Sequence, residues 1–489
     1  MELYWAWVSA ATLATCYVFV DIFLRRLNGW YYDLKLCKKQ HPLPPGDMGW
    51  PLIGNLISFY KDFSSGHPNS FTNNLLLKYG QSGMYKTHLF GKPSIIVCEA
   101  EICRRVLTDD VNFKFAYPES LRQLIPVQSI SRAEHRQFRR LINTPIMNHQ
   151  ALAVYLERIE NIMINSLEEL SSMKHPVELL KEMKKVTFKV IIDILMGTSI
   201  PHMITQNMES FFAELCNGML SAPINAPGFV YHKALKARKK LAKTVQSVVD
   251  ERRLKSKNGQ EGKDKAFIDS VLEVNDENGR KLEDGYIIDL LIAILFAGHE
   301  TSATTMMWTI VYLTQHPHIL NKAKEEQEKI MKVRVSSQTR LNLQEIKQMV
   351  YLSQVIDETL RCANIVFSMF REATSDVNMS GYVIPKGWRV LIWGRAVHMD
   401  PENYPNPEEF NPSRWDDYHG KAGTSLPFGV GSRLCPGKDL AKLEISIFLH
   451  YFLLNYKLER INPDCPITFL PIPKPVDNCL AKVIKVSCN

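Results

Sequence analysis

The chain has 489 residues, 45% hydrophobic and 22% charged, a composition that excludes a collagen-like, disordered or polytopic membrane protein. Its formal charge of +8 is mild for this length; no basic stripe dense enough for nucleic-acid binding is present, and the balance suits an acidic protein partner or a membrane surface. Ten cysteines with no Cys-x-x-Cys pair form neither a disulfide framework nor a zinc ribbon, and they read as reduced thiols in a cytosolic setting.

Trp5 to Leu24 is apolar apart from Asp21, and twenty residues make a helix of about 30 Å, enough to cross a bilayer. Glu2 precedes this stretch and Arg25-Arg26 follow it, the reverse of a secretory signal's charge order, so the positive-inside rule leaves the body of the protein in the cytosol. The expectation is an uncleaved single-pass anchor over 1–24; the alternative is a buried first helix, helped by Ser9, Thr12, Thr15 and Asp21. A basic, proline-rich linker over 25–45 follows, ending in His41-Pro42-Leu43-Pro44-Pro45-Gly46, and a single catalytic domain occupies 46–489.

Tyr85 to Cys98 has strand composition around a Gly91-Lys92-Pro93 turn. Helical periodicity then runs over Tyr155 to Ser171, Leu179 to Met196, Ile287 to Gln315, Asn342 to Ala363 and Leu440 to Tyr456, with a charged loop at Lys255 to Lys265. Strand-like stretches return at Val390 to Trp393, Pro466 to Leu470 and Ala481 to Val486. The fold class is therefore mainly α with small β-sheets (α+β).

Two motifs carry chemistry. Ala297-Gly298-His299-Glu300-Thr301-Ser302 interrupts the apolar Ile287 to Gln315 helix with polar side chains that are costly there unless they act. Thr301 can bond back to the Ala297 carbonyl and Gly298 loosens the same turn, which predicts a local kink with room for water. The second motif is Phe428-Gly-Val-Gly431-Ser-Arg433-Leu-Cys435-Pro-Gly437. Gly431 and Gly437 let backbone approach a flat ligand, and Arg433 offers a cation to a carboxylate on it. Cys435 stands just before a helix, whose N-terminal amides favour a thiolate. A thiolate as the single axial ligand of haem iron favours O–O cleavage.

On these motifs the chain resembles the cytochrome P-450 family of haem-thiolate monooxygenases from hinge to C-terminus. The resemblance implies the cytochrome P-450 fold, with haem b between the oxygen-activating helix and the helix after the cysteine loop. It makes Cys435 the iron ligand and assigns Phe428, Gly431, Arg433 and Gly437 to the cofactor. Ala297 and Gly298 would line the oxygen groove, Thr301 would support proton delivery, and Glu300 would be an acidic relay. His135-Arg-Gln-Phe-Arg139 resembles the motif whose arginine pairs with a haem propionate, with His135 in place of the usual Trp. Arg371 would be a second propionate-facing arginine, preceded by Asn364 where many members have Pro. Glu358, Arg361 and Arg414, within Glu358-Thr-Leu-Arg361 and Phe410-Asn-Pro412-Ser-Arg414-Trp415, would form a buried structural cluster. Arg132, Arg136 and Arg140 read equally as a solvated face or as a docking patch for an acidic electron donor.

The absence of a Gly-x-Gly-x-x-Gly fingerprint implies that NADPH and flavins act through a separate partner, NADPH-cytochrome P-450 reductase. The implied location is the endoplasmic reticulum membrane, single-pass, with the catalytic domain cytosolic. His41 to Gly54, Tyr85 to Ser94 and Pro405 to Asp416 are similar to the plant subgroup of ent-kaurenoic acid oxidases and beta-amyrin 11-oxidases, and Leu440 to Tyr456 is similar to the latter. That implies C-11 oxidation of a pentacyclic triterpene through alcohol to ketone, with ent-kaurenoic acid oxidation as the alternative. A reductase-independent haem-thiolate isomerase or dehydratase is the alternative of another class, and the Thr301 pattern argues against it. By position, Ala116 to Ile130, Ile204 to Leu220, Ile292 to Thr301, Ile365 to Phe370 and Phe469 to Val476 would line an apolar substrate pocket.

Overall fold

A computed structural model describes the chain except residues 1, 37–40, 65–68, 126–131, 143–148, 199, 220, 259–265, 276–278, 335–339, 417–419 and 487–489. The chain divides into two compact units, Met1–Ala116 with Phe367–Asp400 and Lys421–Leu426, and Tyr117–Val366 with Pro401–Gly420 and Pro427–Asn489.

The first unit opens with a continuous helix, α1 (Glu2–Leu36), that runs twelve residues past the expected end at Leu24. Gly29 is the weakest helix former there. In this part Arg25 lies 3.1 Å from Asp21 on its own helix and 2.8 Å from Asp47. Lys38 and Lys39 of the expected linker lie outside the described residues. A short helix, α2 (Leu56–Ser64), buries Phe59 and Phe63 against Phe71, Phe367 and Trp393. Each such ring contributes about 1.5–3 kcal/mol through burial.

Beside this cluster lies a five-stranded sheet. Its hairpin, Met84–Leu89 and Lys92–Val97, turns at Phe90 and Gly91, both at positive φ (+52° and +74°), as a two-residue turn matching strand twist requires. The turn therefore precedes Lys92 and Pro93, which already pair with the first strand. Arg389–Ile392 joins Lys92–Val97 in parallel and Met369–Ala373 in antiparallel register, so a stretch far down the chain completes the N-terminal sheet.

The second unit is helical. Its site-bearing helices are α3 (Arg132–Ile142), α4 (Leu179–Met196), α5 (His202–Asn217), α6 (Asp284–Gln315), α7 (Val350–Ala363) and α8 (Lys438–Asn455). α6 is apolar nearly all round because it is the core: α4, α7 and α8 all pack on it. The expected Asn342 to Ala363 helix is two helices, since Met349 leaves helical geometry (ψ 57°). The first, Leu343–Gln348, is fixed by a capping box in which Asn342 Oδ1 accepts from the amides of Gln344 and Glu345 and the Glu345 carboxylate accepts from that of Asn342. Leu480–Lys485 pairs with Tyr456–Arg460 and Val177–Glu178 in a three-stranded sheet. Most of the expected charged loop, 259–265, lies outside the described residues.

Candidate active site

Cys435 ends a tight loop. Its amide donates to the Phe428 carbonyl at 2.9 Å, closing a ring around the 3-10 turn Gly431–Arg433. Gly431 has φ +78°, a conformation a side chain would strain. Arg433 is buried in this loop, and Lys438 lies 6.0 Å over the Phe428 ring. From α3, Arg139 Nη1 donates to the Leu434 carbonyl at 2.8 Å, tying that helix to the residue before the cysteine. Burial pushes the Cys435 thiol up, while the amides of Gly437 and Lys438 and the Arg139 cation pull it down. A Cβ added at Gly437 would meet only the Cys435 sulfur, at 3.9 Å.

α8 carries this loop onto α6. Along α6, residues 302–311 are all buried, yet Ala297 is exposed and Phe296, Gly298 and Thr301 are half-buried. The middle of this core helix is thus incompletely buried around the turn 296–301. Thr301 Oγ1 donates to the Ala297 carbonyl at 2.8 Å, the back-bond expected from the spacing. Thr304 and Thr305 repeat it to Glu300 and Thr301, so threonines bond back in register along this turn.

Two partners of this turn were not legible in the sequence. Lys184 of α4 pairs with Glu300 at 2.7 Å, so the acid next to Thr301 carries a counter-ion from another helix. Thr187, one turn on, donates to the His299 carbonyl at 3.1 Å. The His299 ring stands edge-on between Phe188 and Phe212, at 5.7 and 5.1 Å, its Nδ1 without a hydrogen-bond partner. Burial lowers its pKa to about 4, so it is neutral at physiological pH. Nothing in the periodicity of α4 singles out Lys184 or Thr187; the contact exists only because α4 packs on α6.

Glu358 forms the expected cluster. Its carboxylate accepts from Arg361 Nε (2.9 Å) and Nη2 (2.8 Å), Arg414 Nε (2.8 Å), Trp415 Nε1 (3.0 Å) and the Asn411 amide (3.0 Å). Arg361 also donates to the Pro407 and Glu409 carbonyls and lies over the Tyr404 ring. Asn364 ends α7 in the left-handed region, φ +49°. A proline, held near −65°, cannot adopt that conformation, which accounts for the departure from the family pattern. Arg371 lies in the first unit, buried on the Met369–Ala373 strand with its guanidinium 4.3 Å over Phe115. His135 stacks on Phe138, and Arg136 and Arg140 are exposed, as a solvated or docking face would be. Of the expected substrate loop, residues 126–130 lie outside the described residues, as does Leu220. Near it, Ser120 bonds the Met219 carbonyl and Tyr231 bonds Gln123. Trp308 of α6 bonds the Pro473 carbonyl, drawing the C-terminal loop to the core.

The donor set fits haem and not a bare ion. Among the described residues no three His, Cys, Asp or Glu side chains converge to hold a metal. One sulfur with amide donors behind it suits a metal that brings its other ligands in a macrocycle. The cradle around it is glycine-lined and open at Gly437, and the helix that follows it, α8, packs on α6.

Comparison with known proteins agrees with this geometry. The sequence profile of the family described as Cytochrome P450 matches residues 44–477. The chain is 72% identical over 493 residues to a beta-amyrin 11-oxidase of Glycyrrhiza uralensis, with all of both chains covered. It is 51% identical to a 7,8-epoxymelianol synthase of Citrus sinensis (99% of this chain, 100% of that one) and 50% identical to ent-kaurenoic acid oxidase 2 of Arabidopsis thaliana (94% of each). Among solved structures, a retinoic acid-bound cyanobacterial CYP120A1 superposes with a TM-score of 0.81 at 28% identity, covering 91% of this chain and 100% of that one.

Proposed function

The chain belongs to the cytochrome P450 family, and from that premise we propose that it oxidises C-11 of beta-amyrin, through the alcohol to the ketone, in triterpenoid saponin biosynthesis. The observation that carries this reading is the 72% identity, end to end, to a beta-amyrin 11-oxidase. The ent-kaurenoic acid reading rests on 50% identity and ranks below it. In each round one oxygen atom of O2 enters the substrate carbon and the other leaves as water, with two electrons and two protons drawn from NADPH and solvent. A second hydroxylation at the same carbon gives the hydrate, which loses water to the ketone.

Haem, when bound, supplies the reductive activation of O2. Cys435 would hold it through its sulfur as a thiolate, which the Gly437 and Lys438 amides and the Arg139 charge favour. By the family pattern Arg433, Arg139 and Arg371 would bind its carboxylates, and Phe428, Gly431 and Gly437 would complete the cofactor-binding loop. The Thr301 hydroxyl proton is committed to the Ala297 carbonyl, which leaves its oxygen lone pairs to accept a hydrogen bond from a water that carries the proton. Glu300, held by Lys184, is the acidic member of the relay. The apolar lining orients the substrate by shape and excludes bulk water from the reacting carbon.

The reading includes a membrane anchor over 1–24 in the endoplasmic reticulum, a cytosolic catalytic body over 46–489, and NADPH-cytochrome P450 reductase as electron donor. The test is mass spectrometry of products from membranes holding this chain and a plant reductase, supplied with NADPH, beta-amyrin and ent-kaurenoic acid side by side. An 11-oxygenated oleanane is the expected product. Oxidation of the diterpene acid alone would overturn the triterpene reading.

A further inference from the structure

The C-terminal hairpin pairs Ile467–Thr468 with Lys474–Pro475, and its tip, 469–473, belongs to the stretch expected to line the substrate pocket. The Val476 amide donates to the Pro466 carbonyl at 2.9 Å and extends the ladder by one residue. The chain then reverses at Asp477-Asn478-Cys479, with Asn478 and Cys479 both in the left-handed region (φ +55° and +61°). Asparagine is among the few residues besides glycine that enter that region readily. Two bonds close the turn: the Asn478 amide donates to the Pro475 carbonyl and the Cys479 amide to Asp477 Oδ1, each at 2.9 Å.

What this turn holds is the start of α4. The Leu179 and Leu180 amides, which as the first of their helix have no acceptor within it, donate to the Cys479 and Asn478 carbonyls, both at 3.0 Å. The Asn478 side chain adds two bonds: Nδ2 donates to Glu178 Oε1 at 2.8 Å, and Oδ1 accepts from Lys474 Nζ at 2.9 Å. Lys474 begins the return strand of the hairpin, so Asn478 fastens hairpin and helix together through its amide, its carbonyl and both ends of its side chain. The tip of the hairpin meets α6, where Trp308 Nε1 donates to the Pro473 carbonyl at 2.8 Å. Trp308 follows Thr301 by seven residues, which at about 100° per residue is within about 20° of two full turns. The hairpin therefore touches the face of α6 that carries Thr301, about 10 Å along the axis. Lys184 and Thr187 of α4 grip the same helix at Glu300 and His299. Hairpin, α4 and α6 thus close into a frame, and Asn478 is the joint between the first two.

We propose that Asn478 is a positioning residue that sets which carbon of the substrate is oxidised, by fixing the hairpin 467–475 against α4 and so against the Thr301 face of α6. The inference rests on the terpenoid oxidation proposed above and deepens it: Asn478 acts on the reaction through the wall it holds. A rigid polycyclic substrate in an apolar pocket is oriented by shape, so moving one wall changes which C–H bond is presented without changing the chemistry that attacks it. Asparagine meets three demands at once: a left-handed backbone, a donor for the Glu178 carboxylate, which Lys181 also pairs, and an acceptor for the Lys474 ammonium. Aspartate keeps the backbone and the acceptor but sets a second carboxylate against Glu178, and glycine keeps the backbone alone.

The test compares the full-length holoprotein of the parent, Asn478→Gly, Asn478→Asp and the double variant Asn478→Asp/Glu178→Gln, in membranes with a plant reductase, NADPH and either beta-amyrin or ent-kaurenoic acid. Folding is confirmed by the reduced-CO band, and the oxidised positions are assigned by NMR of the products. In each single variant the share of 11-oxygenated product is expected to fall several-fold in favour of other positions, and KM to rise several-fold, with total turnover at saturating substrate little changed. In the double variant donor and acceptor exchange sides, and the 11-oxygenated share returns toward the parent value. Unchanged product positions in a folded single variant overturn the inference. An equal loss at every position, the mark of a merely structural residue, overturns it too. Scattered products that the double variant does not restore remove the Asn478–Glu178 bond as what sets the position, and with it the proposal. A parent chain that oxidises ent-kaurenoic acid alone overturns the triterpene reading instead, and the role of Asn478 is then read from the positions oxidised on the diterpene.

Discussion

Glu358→Gln isolates the worth of the buried Glu358–Arg361–Arg414 cluster. The carboxylate is fully buried and accepts five hydrogen bonds, three of them from the two guanidinium groups. The amide keeps the shape but removes the charge and turns one acceptor into a donor facing donors. Removing one partner of a buried ion pair costs about 3–5 kcal/mol. Arg361 keeps the Pro407 and Glu409 carbonyls, which puts the expected loss near the low end, about 3 kcal/mol, against a total of about 5–15 kcal/mol for a folded protein. The assay is urea denaturation of the holoprotein followed by the reduced-CO band, with the midpoint falling markedly in the variant. Glu101→Gln is the control: Arg104 grips Glu101 at the same i,i+3 spacing and nearly the same distances (2.9 and 2.8 Å), but in solvent. No shift of midpoint is expected there. If the two substitutions moved the midpoint equally, burial would not be what gives the cluster its strength, and the reasoning would fail.

The other predictions concern the site and its pH response. Cys435→Ala is expected to abolish the thiolate-type reduced-CO absorption; an unchanged band would remove Cys435 as the iron ligand. Thr301→Ala should raise NADPH consumption per product several-fold by uncoupling, measured as peroxide released against alcohol formed, whereas intact coupling would take Thr301 out of the proton path. Because His299 is held neutral with a pKa of about 4, the unfolded chain binds more protons than the fold between pH 6.5 and 4. Stability contributed by the neutral ring is therefore complete above pH 6.5 and lost as pH falls through that window, by about 3 kcal/mol. His299→Leu should flatten the acid limb of the stability curve, leaving the similar slope from His450, lowered by burial to about 3. An acid limb identical to the parent's would place the His299 proton balance elsewhere.

Much of this molecule is written locally. The Leu179 to Met196 helix has the same ends in sequence and in structure because apolar periodicity stops at Gly197. The cysteine loop, the Thr301 back-bond and the Glu358–Arg361 spacing are likewise short-range patterns, each needing only neighbours within one or two turns. The sequence also points to a long apolar first helix, though not to Asp47 and Asn55 as partners of its Arg25. Tertiary structure alone decided the rest. Arg389–Ile392 could pair with any exposed strand edge; its place beside Lys92–Val97 follows from hydrogen-bond register between segments nearly three hundred residues apart. Lys184 reads as a surface lysine until α4 packs on α6 and brings it to Glu300. Asn364 reads as a missing proline until the end of α7 requires a left-handed residue. Propensity and periodicity act over a few residues, whereas strand register and the pairing of buried charge depend on which distant segments share a core.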